Sequence, residues 1–394
     1  MSARAAPRVA IVYRLDRMGG VQSVAHTLIR GLNRRGIIPD ILWDLPPDSR
    51  LMAERGLQAR YQPVKFAVPS KRIDRLPNTL RYLAWVPNLV RSRELPERYD
   101  FYYIFYNGFL VEPGEAHVRY LSGPPLLPQL QEETRAPFRA LRWLYRRALR
   151  RRWPVYEYHR EDHYVINSHF TAGLFEQAHG VRLPVVHPPI DVSDRSYDPA
   201  DLPARDTLTF FSRIVDYKRP EIVLQLAARH PELRCVIMGG VAPVRRPYFE
   251  QLQALARSLG RPDAVFLDNP SNQRVREELA RTRFYVFPGI NEHFGMTTVE
   301  AIASGAVPFV HDSGGQREIV HLPELRFRDE DLPGKFDGLA AYPEGELARL
   351  RSGLAGHIRQ FSAESFTAKM LALLDESAER ERAQDARQAE QPPA

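Results

Sequence analysis

The sequence predicts an α/β protein of two doubly wound parallel-sheet domains, and three features carry that prediction. Short apolar, often β-branched runs alternate with helical patterns of about ten residues along both halves of the chain. A glycine pair follows the first run and precedes the first helix, as at the opening of a doubly wound α/β domain. A Pro- and Asp-rich stretch without periodicity divides the chain near its middle. With 394 residues, 44% of them apolar, the chain exceeds one ordinary core and suits two of roughly 150–200 residues each.

The first domain is expected over residues 1–190. Arg8 to Tyr13 (RVAIVY) reads as a buried strand. A polar loop with Gly19 and Gly20 follows. Val21 to Arg35 then carries Val24, Ala25, Leu28, Ile29 and Leu32 at helical spacing, and Gly36 ends it. Ile38 to Leu45, Asp100 to Phe105, His117 to Leu121 and His163 to Ile166 are further strands. Residues 191–206 read as an interdomain linker. The second domain, 207–362, alternates strands at Leu208–Phe211, Arg234–Met238, Ala264–Leu267, Phe284–Phe287 and Val307–Val310 with helices at Glu221–Arg229, Tyr248–Leu259, Asn272–Arg281 and Thr298–Ser304. Such alternation implies right-handed crossovers and parallel sheets. A late amphipathic helix over 363–376 is expected to pack back on the first domain. The charged, Gln- and Pro-rich tail, 377–394, is expected to be disordered.

Composition narrows the function. A single cysteine, Cys235, excludes a disulfide framework and any multi-cysteine metal site. No stretch approaches the roughly 18–20 continuous apolar residues that span a bilayer. The N-terminus lacks the apolar core and cleavage site of a signal peptide, so a cytoplasmic protein is expected. Charge is uneven: residues 1–190 hold 29 Lys and Arg against 17 Asp and Glu. The excess peaks in RALRWLYRRALRRRW, residues 139–153. Arg142 to Arg152 there form either a solvated helix face or a site for anionic lipid headgroups at the inner face of the membrane. No nucleic-acid module accompanies the charge, so no nucleic acid is expected as a partner.

Three strand-exit loops of the second half hold the residues suited to chemistry. SRIVDYKRP places Arg213 and Lys218 five apart around a turn, a forked and a mobile cation that suit a diphosphate. NEHFGMTTVEAIASG places Glu292 and Glu300 with seven residues between them. His293, Phe294, Gly295, Met296 and Thr297 lie at or just before a helix start, where backbone N–H groups lack helical partners and can meet hydroxyls or phosphate. HDSGGQREIV supplies Gly314 and Gly315, which permit a sharp turn or close approach. Each loop alone reads equally well as ordinary surface structure.

Together the three loops resemble the donor-binding half of glycosyltransferase family 4. NEHFG, VE, ASG and HDSGG are similar above all to the mannosyltransferases that build dolichol-linked oligosaccharides. Gly19-Gly20-Val21 and the run YVINSHFTAGLFEQAHGVRLPVVHPPID, residues 164–191, extend the resemblance into the first half. The resemblance implies the GT-B fold, two Rossmann-like domains facing across a cleft, and a retaining hexosyltransferase. It implies that Arg213 and Lys218 bind the donor diphosphate, that Glu292 holds the transferred sugar and that Glu300 holds the ribose. It also implies that Gly19 and Gly20 border the diphosphate and that no metal is needed; no Asp-x-Asp site stands beside the motifs. One departure touches the acceptor side. Relatives carry a His in a run like Tyr–Val–His–Tyr–Pro, where this chain has YLSGP with Ser122; His117 lies nearby. The donor expected first is GDP-mannose, with UDP sugars close behind, and the acceptor expected is lipid-linked or a polysaccharide precursor. The alternatives are a small soluble or natural-product acceptor, or a nucleotide-sugar binding protein or GT-B epimerase without transfer.

Overall fold

The computed structural model describes residues 6–17, 19–76, 84, 88–106, 108–123, 163–190 and 205–389, the last nine of these by backbone alone. The basic stretch 139–153 and linker residues 191–204 lie outside the described residues. Two compact units emerge. The first comprises Met1–Asn167, Thr171–Pro189 and Glu364–Ala394; the second comprises Ser168–Phe170 and Ile190–Ala363.

The first unit holds a six-stranded parallel sheet. Its strands are β1 (Val9–Val12), β2 (Asp40–Trp43), β3 (Arg60–Pro63), β5 (Phe101–Ile104), β7 (His117–Leu121) and β8 (Tyr164–Ile166), in the order β3-β2-β1-β5-β7-β8. Short strands β4 (Val90–Arg91) and β6 (Phe109–Leu110) pair separately. Helix α1 (Gly20–Arg34) buries Val24, Ala25, Leu28, Ile29 and Leu32, one stripe at a 3.6-residue period. Two short helices, α2 (Ser49–Glu54) and α3 (Ser70–Asp74), follow β2 and β3, and α4 (His169–His179) follows β8.

The second unit repeats the plan. Strands β9 (Thr207–Phe211), β10 (Arg234–Gly239), β11 (Val265–Asp268), β12 (Thr282–Phe287), β13 (Val307–His311) and β14 (Arg326–Phe327) lie in the order β11-β10-β9-β12-β13-β14, every pairing parallel. Between them run α5 (Pro220–Arg229), α6 (Arg246–Ser258), α7 (Asn272–Arg281), α8 (Met296–Ala303) and α9 (Gln316–Ile319). Helices α10 (Leu332–Ala340) and α11 (Glu344–Ile358) complete the unit. Parallel strands covered on both faces need apolar residues throughout rather than alternation, and Cys235, Val236, Ile237 and Met238 of β10 are all fully buried. Counted within each unit, both sheets run 3-2-1-4-5-6. That order reverses between β1 and β5, and again between β9 and β12. At such reversals neighbouring exit loops diverge and leave a crevice beyond the strands' carboxyl ends.

Two boundaries differ from the sequence reading. Arg205 and Asp206, assigned to the linker, already belong to the second unit. The Arg205 guanidinium donates to the carbonyls of Thr282 (2.9 Å) and Ser304 (2.7 Å), and the Asp206 carbonyl accepts from the Arg234 N–H (2.9 Å). The tail expected to be disordered from 377 is helical to Ala389, because α12 runs Ala363–Ala389. Its Glu, Arg, Ala and Gln residues are strong helix formers without a break, and Arg380 pairs with Glu376 one turn earlier at 3.7 Å. The front of α12 buries Phe366, Met370, Leu371 and Leu374 in the core of the first unit. Gly31 makes room for it: a Cβ there would fall 2.2 Å from the Thr367 methyl group.

His26 of α1 gives the first unit an acid sensitivity. It is 1% exposed, and neither ring nitrogen has a partner among the described residues. Burial, reinforced by Arg55 and Arg30, pushes its pKa down to about 4. On acidification the unfolded chain takes up this proton first, near its ordinary value of about 6.5. Stability is therefore lost as pH falls from about 6.5 towards 4, by about 3 kcal/mol in all. His26→Leu should flatten the fall of the thermal midpoint between about pH 7 and 4.5; parallel curves for variant and wild type would remove this account.

Candidate functional site

The crevice between β9 and β12 gathers most of the residues singled out in the second half. After β9 the chain turns through Ser212–Lys218, and its course depends on one glycine. Gly239, at the end of β10, has φ of 155°, and a Cβ on it would lie 1.6 Å from the Ser212 carbonyl oxygen. Strand-like bonds extend past the strand ends: Ser212 N–H to the Met238 carbonyl (3.2 Å) and Ile214 N–H to the Gly240 carbonyl (2.9 Å). The loop closes on Arg219 in the left-handed region (φ 58°), whose guanidinium holds Asp329 at 2.9 Å.

Lys218 is thereby turned inward. It is 6% exposed, and its ammonium donates to the Glu292 carboxylate and lies 4.8 Å from the centre of the Phe287 ring. Burial holds its pKa below the ordinary lysine value, with Glu292 opposing that shift and Arg213 adding to it. Arg213, on the same loop, is exposed and donates to the Tyr217 hydroxyl at 3.0 Å. The structure thus brings Lys218 and Glu292 into contact and leaves Arg213 facing solvent beside them.

The loop carrying Glu292 is set by the loop after β13, residue against residue. The Asn291 N–H donates to Ser313 Oγ (2.8 Å), and the Gly315 N–H donates to the Glu292 carbonyl (2.7 Å). A Cβ on Gly314 would lie 2.4 Å from the Glu292 carbonyl oxygen, and one on Gly315 would lie 2.4 Å from that of His293. Side chains larger than hydrogen would push the Glu292 loop away. The His293 carbonyl also accepts from Ser168 Oγ at 2.6 Å, and Phe294 is buried in the core. Gly295 (φ 114°) then starts α8, and the first N–H groups of that helix, at Met296 and Thr297, lie at its positive end. Glu300 lies one turn further along α8.

Tyr285 was missed by the sequence reading. Its hydroxyl, on β12, donates to the Phe211 carbonyl at the end of β9 (3.2 Å) and meets Thr297 Oγ1 on α8 (2.8 Å). Full burial, with Glu292 and Glu300 nearby, raises its pKa well above the ordinary tyrosine value. A tyrosine in an apolar strand gives no signal in the sequence that its hydroxyl ties two strands and a helix together.

In the first unit, Gly19 and Gly20 sit at the N-terminus of α1, beyond the carboxyl end of β1. Ser122 follows the carboxyl end of β7, and its carbonyl accepts from Asn167 Nδ2 at 2.7 Å. His117 does not join them. It begins β7, on the opposite edge of the sheet, and Nδ1 meets the Glu115 carbonyl at 2.8 Å. This removes the geometric basis for an acceptor-side role at His117.

The 3-2-1-4-5-6 parallel order, present twice, defines a doubly wound class of α/β domain, and in the second unit a cation and a carboxylate meet at its reversal point. Residues 18–194 match the family Glycosyltransferase Family 4, and residues 201–324 match Glycosyl transferases group 1. D-inositol 3-phosphate glycosyltransferase of Rhodococcus erythropolis is 29% identical over 226 residues, 52% of this chain and 51% of that protein. The lipopolysaccharide core biosynthesis mannosyltransferase LpcC of Rhizobium leguminosarum is 28% identical over 147 residues, 36% of this chain and 41% of that one. Anabaena HepE, solved in complex with UDP and glucose, superposes with a TM-score of 0.65 over 94% of this chain and 100% of its own, at 14% identity. The two halves of this chain thus match two glycosyltransferase family models, and its fold is GT-B. It spans about half the length of the curated relatives it matches, or less.

Proposed function

We propose that this chain is a retaining hexosyltransferase. It takes mannose from GDP-mannose, with UDP sugars next in order, and delivers it to a lipid-linked or polysaccharide-precursor acceptor on the cytoplasmic side of a membrane. One observation carries the reading: the buried Lys218 ammonium and the Glu292 carboxylate meet at the reversal point of the second sheet, with the Arg213 guanidinium on the same loop. When the bond from the sugar C1 to the diphosphate breaks, its electron pair goes to phosphate oxygen. Lys218 and Arg213 stabilise that growing charge, and more so in a water-poor crevice. A diphosphate that engages Lys218 releases Glu292 to accept hydrogen bonds from sugar hydroxyls. Glu300 accepts from the ribose. The acceptor hydroxyl closes on C1 from the face the diphosphate leaves and gives up its proton to it, so the anomeric configuration is kept. These cations supply the charge a metal would otherwise bring, so chelation with EDTA should leave turnover unchanged.

The relative named a mannosyltransferase supports mannose, and the neighbour solved with UDP and glucose supports the alternative donor. The relatives named for D-inositol 3-phosphate favour a second reading, transfer to a small soluble sugar phosphate. Donor panels incubated with lipid extract or with inositol 3-phosphate separate the two. Nucleoside diphosphate release only with lipid supports the first, and full turnover in a lipid-free mixture supports the second. Release that never depends on acceptor defeats both and favours a binding protein or epimerase. Loss of vesicle flotation on neutralising Arg146, Arg147, Arg150 and Arg151 would tie Arg142 to Arg152 to the membrane.

A further inference from the structure

Gln316 lies beside this crevice, and the proposed mechanism leaves its amide unused. It opens α9, directly after Gly314 and Gly315, and is completely buried. Neither its amide oxygen nor its amide nitrogen has a hydrogen-bond partner among the described residues. The amide lies flat against Gly295: a Cβ there would fall 2.7 Å from Nε2, 2.9 Å from Cδ and 2.9 Å from Oε1. Gly295 is the residue that turns the chain into α8, in a backbone conformation open chiefly to glycine. A buried polar group without partners destabilises a fold by roughly 1–3 kcal/mol, and an apolar side chain of the same shape would avoid that cost.

We infer that Gln316 is a positioning residue for the donor, its amide bonded in the occupied state and not in the empty one. The inference rests on the donor reading of the Glu292–Glu300 segment. A sugar or diphosphate held by Glu292 and by the first N–H groups of α8 pulls on the Gly295 turn. The buried amide that packs on this turn has both a donor and an acceptor to offer its backbone. The stability withheld from the empty protein is then recovered on binding, which couples donor affinity to a side chain the donor never touches.

The test compares wild type, Gln316→Met and Gln316→Leu by thermal unfolding, alone and titrated with GDP-mannose and with UDP-glucose. Both variants are expected to melt higher than wild type when empty, by about 2–4 °C. Both are expected to bind the donor that wild type prefers about tenfold more weakly, with Gln316→Met nearer wild type in shape. Lower empty midpoints with unchanged affinity would show an amide that merely supports the fold, and would overturn the inference. Higher midpoints with unchanged affinity would overturn it too. A wild type that responds to neither sugar nucleotide would bring down the donor reading itself, whereas a wild type that responds and variants that respond equally would bring down this inference alone.

Discussion

Lys218→Ala is expected to lower turnover by about 10²–10³-fold, the effect of deleting one preorganised donor to a developing negative charge. Two losses combine in that figure. Lys218 is 6% exposed and its ammonium reaches Glu292, so in the proposed reaction it acts on the leaving diphosphate where solvent screens poorly. Its removal also leaves Glu292 without its cation, so the carboxylate repels the incoming donor instead of waiting for its sugar. Glu292→Gln keeps the shape and removes that repulsion. The double variant Lys218→Ala/Glu292→Gln should therefore bind donor better than Lys218→Ala alone while remaining as slow in turnover, a non-additivity expected of residues in contact. Calorimetric donor affinity beside single-turnover rates checks both halves. Wild-type turnover in Lys218→Ala would end the assignment. Because burial depresses the Lys218 pKa, the loss of donor affinity at alkaline pH should set in below the ordinary lysine value of about 10.4. A bound diphosphate favours the charged ammonium, so affinity declines as the proton leaves.

Gly239→Ala should be the most damaging single methyl in the second unit. At φ 155°, with the Ser212 carbonyl oxygen 1.6 Å from the position of a Cβ, neither torsion nor space admits alanine. The expected cost is about 3–4 kcal/mol, at the upper end for point substitutions. It falls on the backbone that turns from β9 into the Arg213–Lys218 loop, so donor binding should fail at temperatures where the variant is still folded. Gly260→Ala is the fitting control. Gly260 also has positive φ (74°), but nothing lies within 4 Å of its Cβ position, so only conformational strain of about 1–2 kcal/mol remains. Equal thermal midpoints for the two variants would show that the contact with Ser212 does not matter.

The aromatic rings of the site follow the same division between pattern and packing. Phe287 was legible as the last residue of a strand, but not as the surface over which Lys218 lies at 4.8 Å. The cation and the ring are far apart in the chain, and only the β9–β12 pairing makes them neighbours. His117 shows the converse. A His near a motif invites a role, yet its place at the start of β7 puts it at the sheet edge away from the strand exits.

From the sequence alone came the alternation of strand and helix, because a parallel sheet covered by helices needs apolar runs of one period beside stripes of another. The Arg213, Lys218, Glu292 and Glu300 spacing also came from it, because loop residues that follow strands stay local in the chain. The length of α12 was misjudged there: charge and glutamine suggest disorder to a compositional reading, but the same residues are good helix formers once Phe366 and Met370 anchor the first turns. Tertiary structure alone decided which cation turns inward, that Tyr285 joins β9 to α8, that Gly314 and Gly315 carry the Glu292 loop, and that the Gln316 amide lies unbonded against Gly295. Each of these depends on contacts between segments brought together by strand order, and strand order is fixed by how helices cover the sheet rather than by any local run of residues.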